Sequence, residues 1–434
     1  MMTTSSESAP PDPPVASLAP MIECPFPIYK ALRENSPVTE MAPGVFMVTR
    51  YEDVLRVVKD TETFSSRAPR NPFAWFGDPE RQDELDAILS RCPEMPTLLD
   101  NDPPEQTRVR ALVAKVFNES NVAALEPAIA ELIDDLSSSW LRRGRVEFAA
   151  EFARPLPAAV TALALGADAA MTERCLFWAD EIMTRTAGPQ TPERQAEVAR
   201  GIAEMSDYFF SLIAQRRAEP RDDLFSLLTR VELDGERLTD IQIVNVAKVF
   251  LVGGNETTMF MLTSALHRLA TEPALAQTLR DAPELIEPFL EEILRLEAPA
   301  QGLPRFPTRD VELHGVTIPA GSTVFVLYGS ANHDETVFDD ADDLVLDRRA
   351  RGGYKQHLAF SVGPHFCLGA RLARTEGRLA LARLLPKMTN LALATDAEPQ
   401  RAANPLLRGF VRLDLEFGDA HDYLADRPPL SQVT

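Results

Sequence analysis

The chain has 434 residues, 45% hydrophobic and 25% charged, an ordinary balance for a globular protein able to bury a large core. Its net charge of −21 excludes generic binding to DNA or to an anionic membrane, because both partners are themselves negative. The four cysteines, Cys24, Cys92, Cys175 and Cys367, are too scattered for a disulfide framework and fit a reducing, cytoplasmic compartment.

The opening stretch, "MMTTSSESAPPDPPVASLAP", lacks the basic and apolar regions of a signal peptide. Its Ser, Pro and acidic residues read as a flexible leader over 1–20, ahead of a single domain over 21–434. "CPFPIYKALRENSPVTEM" predicts a short helix leading to a strand, and "VFMVTRYEDVLRVVKD" alternates like a strand before taking helical spacing. From Arg81 to about Arg295 the pattern is mostly helical, cut at "DNDPPEQTR", "AGPQTPER" and "AEPRDDLFSLL". The apolar run Pro155–Met171 falls short of the ~20 residues that a membrane span needs, so no membrane anchor is expected. Leu238–Pro273 predicts one long buried helix that opens with a Thr cap and extends some ~50 Å. Strands return after Pro304, where "DVELHGVTIPAGSTVFVLYGSAN" alternates around a "PAG" turn. With no internal repeat and no long linker, the fold class is mainly α with a small β-region.

Cys367 stands in "HLAFSVGPHFCLGARLAR", ahead of a strongly amphipathic helix. A zinc site needs about four paired Cys or His ligands, and His365 with Cys367 supplies two at most. A catalytic thiol could take His365 or His357 as its base, and a lone cysteine is most often a small buried apolar residue. The neighbours shift that balance. Phe360, Gly363, Cys367 and Gly369 form F-x-x-G-x-x-x-C-x-G, the glycines allow close backbone approach, and N–H groups at a helix start favour thiolate.

This segment resembles the haem-binding loop of the cytochrome P450 family, whose cysteine thiolate is the proximal iron ligand. The resemblance covers the chain from about Cys24 onward and implies a mainly α, triangular fold with a long central helix over the haem. It implies haem b as cofactor, Cys367 as metal ligand, and Phe360 and Gly369 as part of the haem cradle. Arg305, after "APAQGLP", and Arg110, in "DPPEQTRVRALVAKVF", are similar to arginines that hold the haem propionates, and His365 is the third such partner. Gln106 stands where the family often has His, so its haem contact is neutral at best. Glu292 and Arg295 match the family's E-x-x-R; by themselves they read as a solvated i,i+3 pair worth ~0.2–0.5 kcal/mol. The resemblance makes that pair buried and completes it with Arg348. Further departures are Ser361 in place of a glycine, "FDDADDL" without the usual proline and second phenylalanine, and four extra residues between Arg348 and Phe360.

Within the long helix, "VFLVGGNETTMFML" carries two glycines that each cost about 1 kcal/mol against Ala. An acid in so apolar a helix needs a polar task. Glu256 and Thr257 resemble the family's acid–alcohol pair, which bends the helix beside the oxygen site and relays protons. By the same analogy Val249, Val252, Gly253, Pro299–Leu303 (with Gln301 its one polar member), Leu406 and Leu407 line an apolar substrate pocket. The segments Asn71–Asn101 and Ala187–Glu219 carry specificity.

The implied activity is a haem-thiolate monooxygenase that puts one atom of O₂ into a lipophile such as a terpenoid, steroid, fatty acid or polyketide. Electrons come from a separate ferredoxin and its NAD(P)H-dependent reductase, and the protein acts as a cytoplasmic monomer. Peroxide-driven turnover, O₂-independent rearrangement, and a haem sensor or carrier without turnover are the alternatives. Arg108, Lys115, Arg351, Lys355, Arg371, Arg374 and Arg378 are expected to form a basic ferredoxin-docking patch on the cysteine side.

Overall fold

In the computed structural model, which describes residues 19–68, 82–93, 95–96, 98–186, 190–351 and 355–418, hydrophobic spacing becomes structure largely where the sequence places it. α1 (Phe26–Asn35) leads into a hairpin of β1 (Val38–Ala42) and β2 (Val45–Val48), and α2 (Tyr51–Lys59) follows where the spacing changes from two to 3.6. β3 (Phe64–Ser65) precedes α3 (Gln82–Leu89), α4 (Glu105–Val116) and α5 (Glu126–Leu141). Then come β4 (Arg145–Glu147), α6 (Pro155–Ala164), α7 (Thr172–Thr186) and α8 (Pro192–Ala218). Proline opens α6 and α8, where its missing N–H is no loss.

α9 (Asp240–Thr271) is the long central helix, 32 residues or about 48 Å. Its start is fixed by a reciprocal capping box. Thr239 Oγ1 accepts from the Gln242 N–H at 3.2 Å, and Gln242 Oε1 accepts from the Thr239 N–H at 2.9 Å. α10 (Ile286–Leu296), β5 (Leu303–Pro307) and β6 (Thr323–Val326) follow, then α11 (Ala370–Leu384), β7 (Thr389–Leu393) and β8 (Asp414–Gly418).

One five-stranded sheet runs β1-β2-β6-β5-β3, with β2–β6 the parallel pair. This ladder sets Arg305 opposite Val324 and Ser65 opposite Phe306, carrying both toward the cysteine loop. A large apolar core surrounds α9, and a second, smaller one lies beneath the sheet. Small residues let the helices close in. A Cβ at Gly254 would come within 2.9 Å of Thr161 Oγ1 on α6, and one at Gly377 within 2.9 Å of Met261 Cε.

Three details differ from the sequence reading. β4 interrupts the run read as helical, because Val146 finds a ladder partner in Leu415, far along the chain. A second exception is the hairpin Glu232–Leu233/Glu236–Arg237, whose strands are too short for periodicity to register. Ala19–Glu23 is already helical where the flexible leader was expected to end, while the leader's residues 1–18 lie outside the described residues. Parts of both specificity segments, 71–81 and 187–189, also lie outside them, as do 352–354 among the extra loop residues.

Candidate functional site

Cys367 is held by its own backbone: its N–H donates to the Phe360 carbonyl at 2.9 Å, closing the loop ahead of α11. The loop turns at two left-handed residues, Ser361 (φ 55°) and Gly363 (φ 68°). A serine in that conformation is strained, and its Oγ accepts from Tyr328 Oη at 3.1 Å, which offsets part of the cost. Burial pushes the Cys367 thiol up, while the N–H groups of Gly369 and Ala370 and the charges of Arg110 and Arg374 pull it down. The expected helix-start donors are therefore present, but burial outweighs them. The residue nevertheless presents exposed surface, although protein atoms crowd around its sulfur.

Two arginines near the cysteine loop lack a carboxylate partner among the described residues. Arg305, 3% exposed, donates through Nη1 to the Pro304 carbonyl at 2.8 Å, and its Nε is buried without a partner. Half-buried Arg110 lies within electrostatic reach of Cys367, and burial lowers its pKa. An interior cation with no counter-ion is costly, so this geometry calls for an anionic ligand with two acidic groups. His365 lies near both arginines. Its Nδ1 faces the Leu98 carbonyl at 3.2 Å and therefore carries the proton, leaving Nε2 to accept from Ser66 Oγ at 3.0 Å. Burial and Arg305 bring its pKa down to about 4, so it is neutral at physiological pH. As the expected third propionate partner, His365 would therefore act through a neutral imidazole.

Gln106, expected to make at best a neutral haem contact, engages the loop directly. It is fully buried, and its Nε2 donates to the Pro364 carbonyl at 2.7 Å, so it braces the cysteine loop instead of facing an anion. Phe360 lies under the Arg374 guanidinium, 4.5 Å from the ring centre. A Cβ on Gly369 would sit 3.8 Å from Cys367 Sγ.

Glu292 and Arg295 on α10 are not a solvated pair. Glu292 is 5% and Arg295 1% exposed, joined by two 2.8 Å hydrogen bonds, and Arg348 Nε reaches Glu292 Oε1 at 3.0 Å. Arg295 also donates to the carbonyls of Asn332, Ala341 and Asp343, which ties "FDDADDL" to α10. Burial would raise the Glu292 carboxyl, but Arg295, Arg348 and the Val345 N–H overcome it and leave it below the usual range.

On α9, Gly253 faces open space and Thr257 is half-buried, its Oγ1 donating to the Gly253 carbonyl at 2.7 Å. The helix runs unbroken through this point. Burial raises the Glu256 carboxyl; Asp180 on α7 adds to the rise and Arg154 offsets it. Asp180 and Arg154 pair with each other at 2.5 Å near the surface. Sequence reasoning missed both, along with Ser66 and Leu98, because each acts across a tertiary contact that no local pattern encodes.

Among the expected pocket residues, Val249, Val252 and Leu406 are partly exposed, and Leu303 is 37% exposed. The segments around Pro299 and Leu407 meet through an Ala300–Leu407 bridge and the Gln301 N–H to Leu406 carbonyl bond at 2.8 Å. Gln301 is the correction here. Its side chain is 1% exposed, donates to the Ala298 carbonyl and is wedged against Gly329, so it opens on no accessible space.

The expected basic patch is present in sequence position but largely self-paired. Arg108 bonds Glu236 at 2.7 Å, Arg371 Glu119 at 3.2 Å, Arg378 Glu126 at 2.6 Å and Arg351 Asp347 at 2.8 Å. Lys115 donates to the Glu232 carbonyl at 3.1 Å, and Lys355 is exposed.

Comparison with known proteins gives this site its class. The family model for cytochrome P450 matches residues 191–414. A steroid C26-monooxygenase of Mycolicibacterium smegmatis is 33% identical over 377 residues, 87% of this chain and 88% of that protein. A vitamin D(3) 25-hydroxylase of Pseudonocardia autotrophica is 33% identical over 400 residues, covering 91% and 94%. Among solved structures, a cytochrome P450 of Bacillus megaterium in complex with testosterone superposes with a TM-score of 0.78 at 28% identity, covering 91% of this chain and 99% of that one. The chain belongs to the cytochrome P450 family. It is a monooxygenase whose cofactor is haem b, ligated through iron by a cysteine thiolate.

Proposed function

We propose that this P450 hydroxylates a lipophilic small molecule, with Cys367 as the thiolate ligand and electrons drawn from a separate ferredoxin and reductase. The observation that carries the site assignment is the accessible interior cysteine with two interior arginines, Arg110 and Arg305, that have no counter-ion. Two propionates would supply the missing charge, while Phe360 and Gly369 would flank the sulfur. Bound there, haem would supply the oxygen-activating redox chemistry, with the thiolate as electron-rich axial ligand. Residues 21–434 would act as one catalytic domain.

The remaining roles fall to this chain's own side chains. Thr257 Oγ1 gives its proton to the Gly253 carbonyl and so offers lone pairs to a donor arriving in the open space beside it. Glu256 keeps its proton to higher pH than an exposed glutamate, and Asp180 and Arg154 connect it toward the surface. This order suits delivery of protons from solvent into an apolar pocket. Val249, Val252, Gly253, Leu303 and Leu406 would exclude water and receive the substrate. The relatives named for steroid and vitamin D oxidation, and the testosterone complex, support a lipophile of sterol-like size. Terpenoid, fatty acid and polyketide substrates share the same chemistry of recognition.

A library of lipophiles screened for low-to-high-spin shifts of the Soret band, followed by turnover of each responder, tests this reading. Product that requires NAD(P)H, ferredoxin and reductase is the expected result. Equal product from peroxide alone would make the protein a peroxygenase, and responders that give no product under either condition would make it a carrier.

A further inference from the structure

Glu291, one residue before the buried Glu292, belongs to no motif, yet it gathers side chains from three separate segments. Arg374 on α11 grips it through Nε to Oε1 at 2.6 Å and Nη2 to Oε2 at 3.1 Å. Arg349 Nη2 reaches Oε2 at 2.9 Å. His357 Nε2 lies 3.3 Å from the same oxygen, off the angle of a hydrogen bond, while its Nδ1 accepts from the Ala359 N–H at 3.3 Å. The carboxylate is 12% exposed by its side chain. Burial alone would raise it, but His357 and Arg374 overcome that and bring it down to about 2, so it is ionised throughout the functional range.

The chain of contacts continues to the sulfur. The same Arg374 guanidinium covers the Phe360 ring, and the Phe360 carbonyl accepts the Cys367 N–H. Arg374, like Arg110, is a cation whose field reaches the Cys367 sulfur. The Arg374 charge is therefore both located and partly neutralised by Glu291. This also separates Arg374 from its expected companions in the docking patch, since Arg108 and Arg371 pair with exposed acids that a partner protein could displace.

We infer that Glu291 is a positioning residue that fixes Arg374 over Phe360 and compensates its charge, and thereby sets the reduction potential at the cysteine-ligated site. The inference rests on the assignment of Cys367 as the thiolate ligand. Electrostatics gives the sign: an uncompensated cation near the site favours the more electron-rich, reduced state, and removal of that cation favours the oxidised one.

Equilibrium redox titration of the haem-loaded protein, without ferredoxin, tests it through Glu291→Gln, Arg374→Gln and the double variant. The expected pattern is a rise in potential for Glu291→Gln, a fall for Arg374→Gln, and a return toward the wild-type value when both are changed. Glu119→Gln, which frees Arg371 at the surface, is expected to leave the potential in place. Shifts of the same sign in both single variants, or none, would overturn the inference, because a purely structural clamp has no reason to give opposite signs that cancel. The reduced carbon monoxide spectrum separates this failure from that of the ligand assignment. A thiolate-type Soret band in all variants with unmoved potentials sinks the role of Glu291 alone, whereas absence of that band from the wild type sinks Cys367. If Glu291→Gln fails to load haem, Glu291→Asp replaces it: the shorter acid keeps the charge, so a potential close to wild type supports compensation and a rise like that expected for Gln contradicts it.

Discussion

The cysteine loop shows how much one residue can depend on its neighbours. Cys367→Ala is expected to abolish the thiolate-type Soret band of the reduced carbon monoxide complex, because Cys24, Cys92 and Cys175 all lie elsewhere in the fold; retention of the band would remove the assignment. Thr257→Ala should leave haem and substrate binding intact while product per NAD(P)H falls and released hydrogen peroxide rises. If Thr257 merely stabilises the helix through Gly253, thermal stability falls instead and the product-to-peroxide ratio stays put. A third expectation concerns Glu376, buried on α11 at 3% exposure, with Oε2 lacking a partner and its pKa raised well above the usual value by burial. The folded protein keeps a proton that the unfolded chain releases above about pH 4.3, so wild-type stability should fall as pH rises from there toward the folded pKa. Glu376→Gln cannot titrate, so its unfolding midpoint should match wild type near pH 4 and exceed it at pH 8.

At the scale of elements, the Glu292–Arg295–Arg348 cluster joins α10 to the irregular segment that precedes the cysteine loop. Arg295→Ala removes one charge of a buried set and orphans the carbonyls of Asn332, Ala341 and Asp343 as well. A loss of about 3–5 kcal/mol in urea unfolding is expected, with poor haem loading as its companion. The start of α9 makes a milder case. Thr239→Ala breaks the capping box and should cost about 1 kcal/mol, measurable in the same experiment without change in the reduced carbon monoxide spectrum.

The whole molecule carries a net charge of −21, and on the face proposed for ferredoxin docking the cations Arg108 and Arg371 stand paired with exposed acids. Charge reversal at Arg108 and Arg371 releases Glu236 and Glu119 as unpaired negatives, so local charge changes by more than the arginines alone. Ferredoxin-driven reduction by the double variant should slow most at low ionic strength and recover as salt is added, the mark of electrostatic steering. Unchanged rates at low salt would place docking on another face. No helix among the described residues is long and apolar enough to cross a membrane.

The sequence by itself determined what local spacing can encode. The switch from alternation to helical period between Val48 and Tyr51, the Thr239 cap, the length of α9 and the F-x-x-G-x-x-x-C-x-G loop were all legible, because propensity, capping and turn chemistry act over a few residues. Only the tertiary structure decided which polar groups meet across long separations. Ser66 bonds His365 while burial and Arg305 keep it neutral, Gln106 braces Pro364, Gln301 turns onto Gly329, and Glu291 draws Arg349 and Arg374 together. Periodicity says which face of a helix is buried, but not which buried charge finds which partner. That choice is made by desolvation, which penalises every unpaired interior group until packing supplies its counterpart.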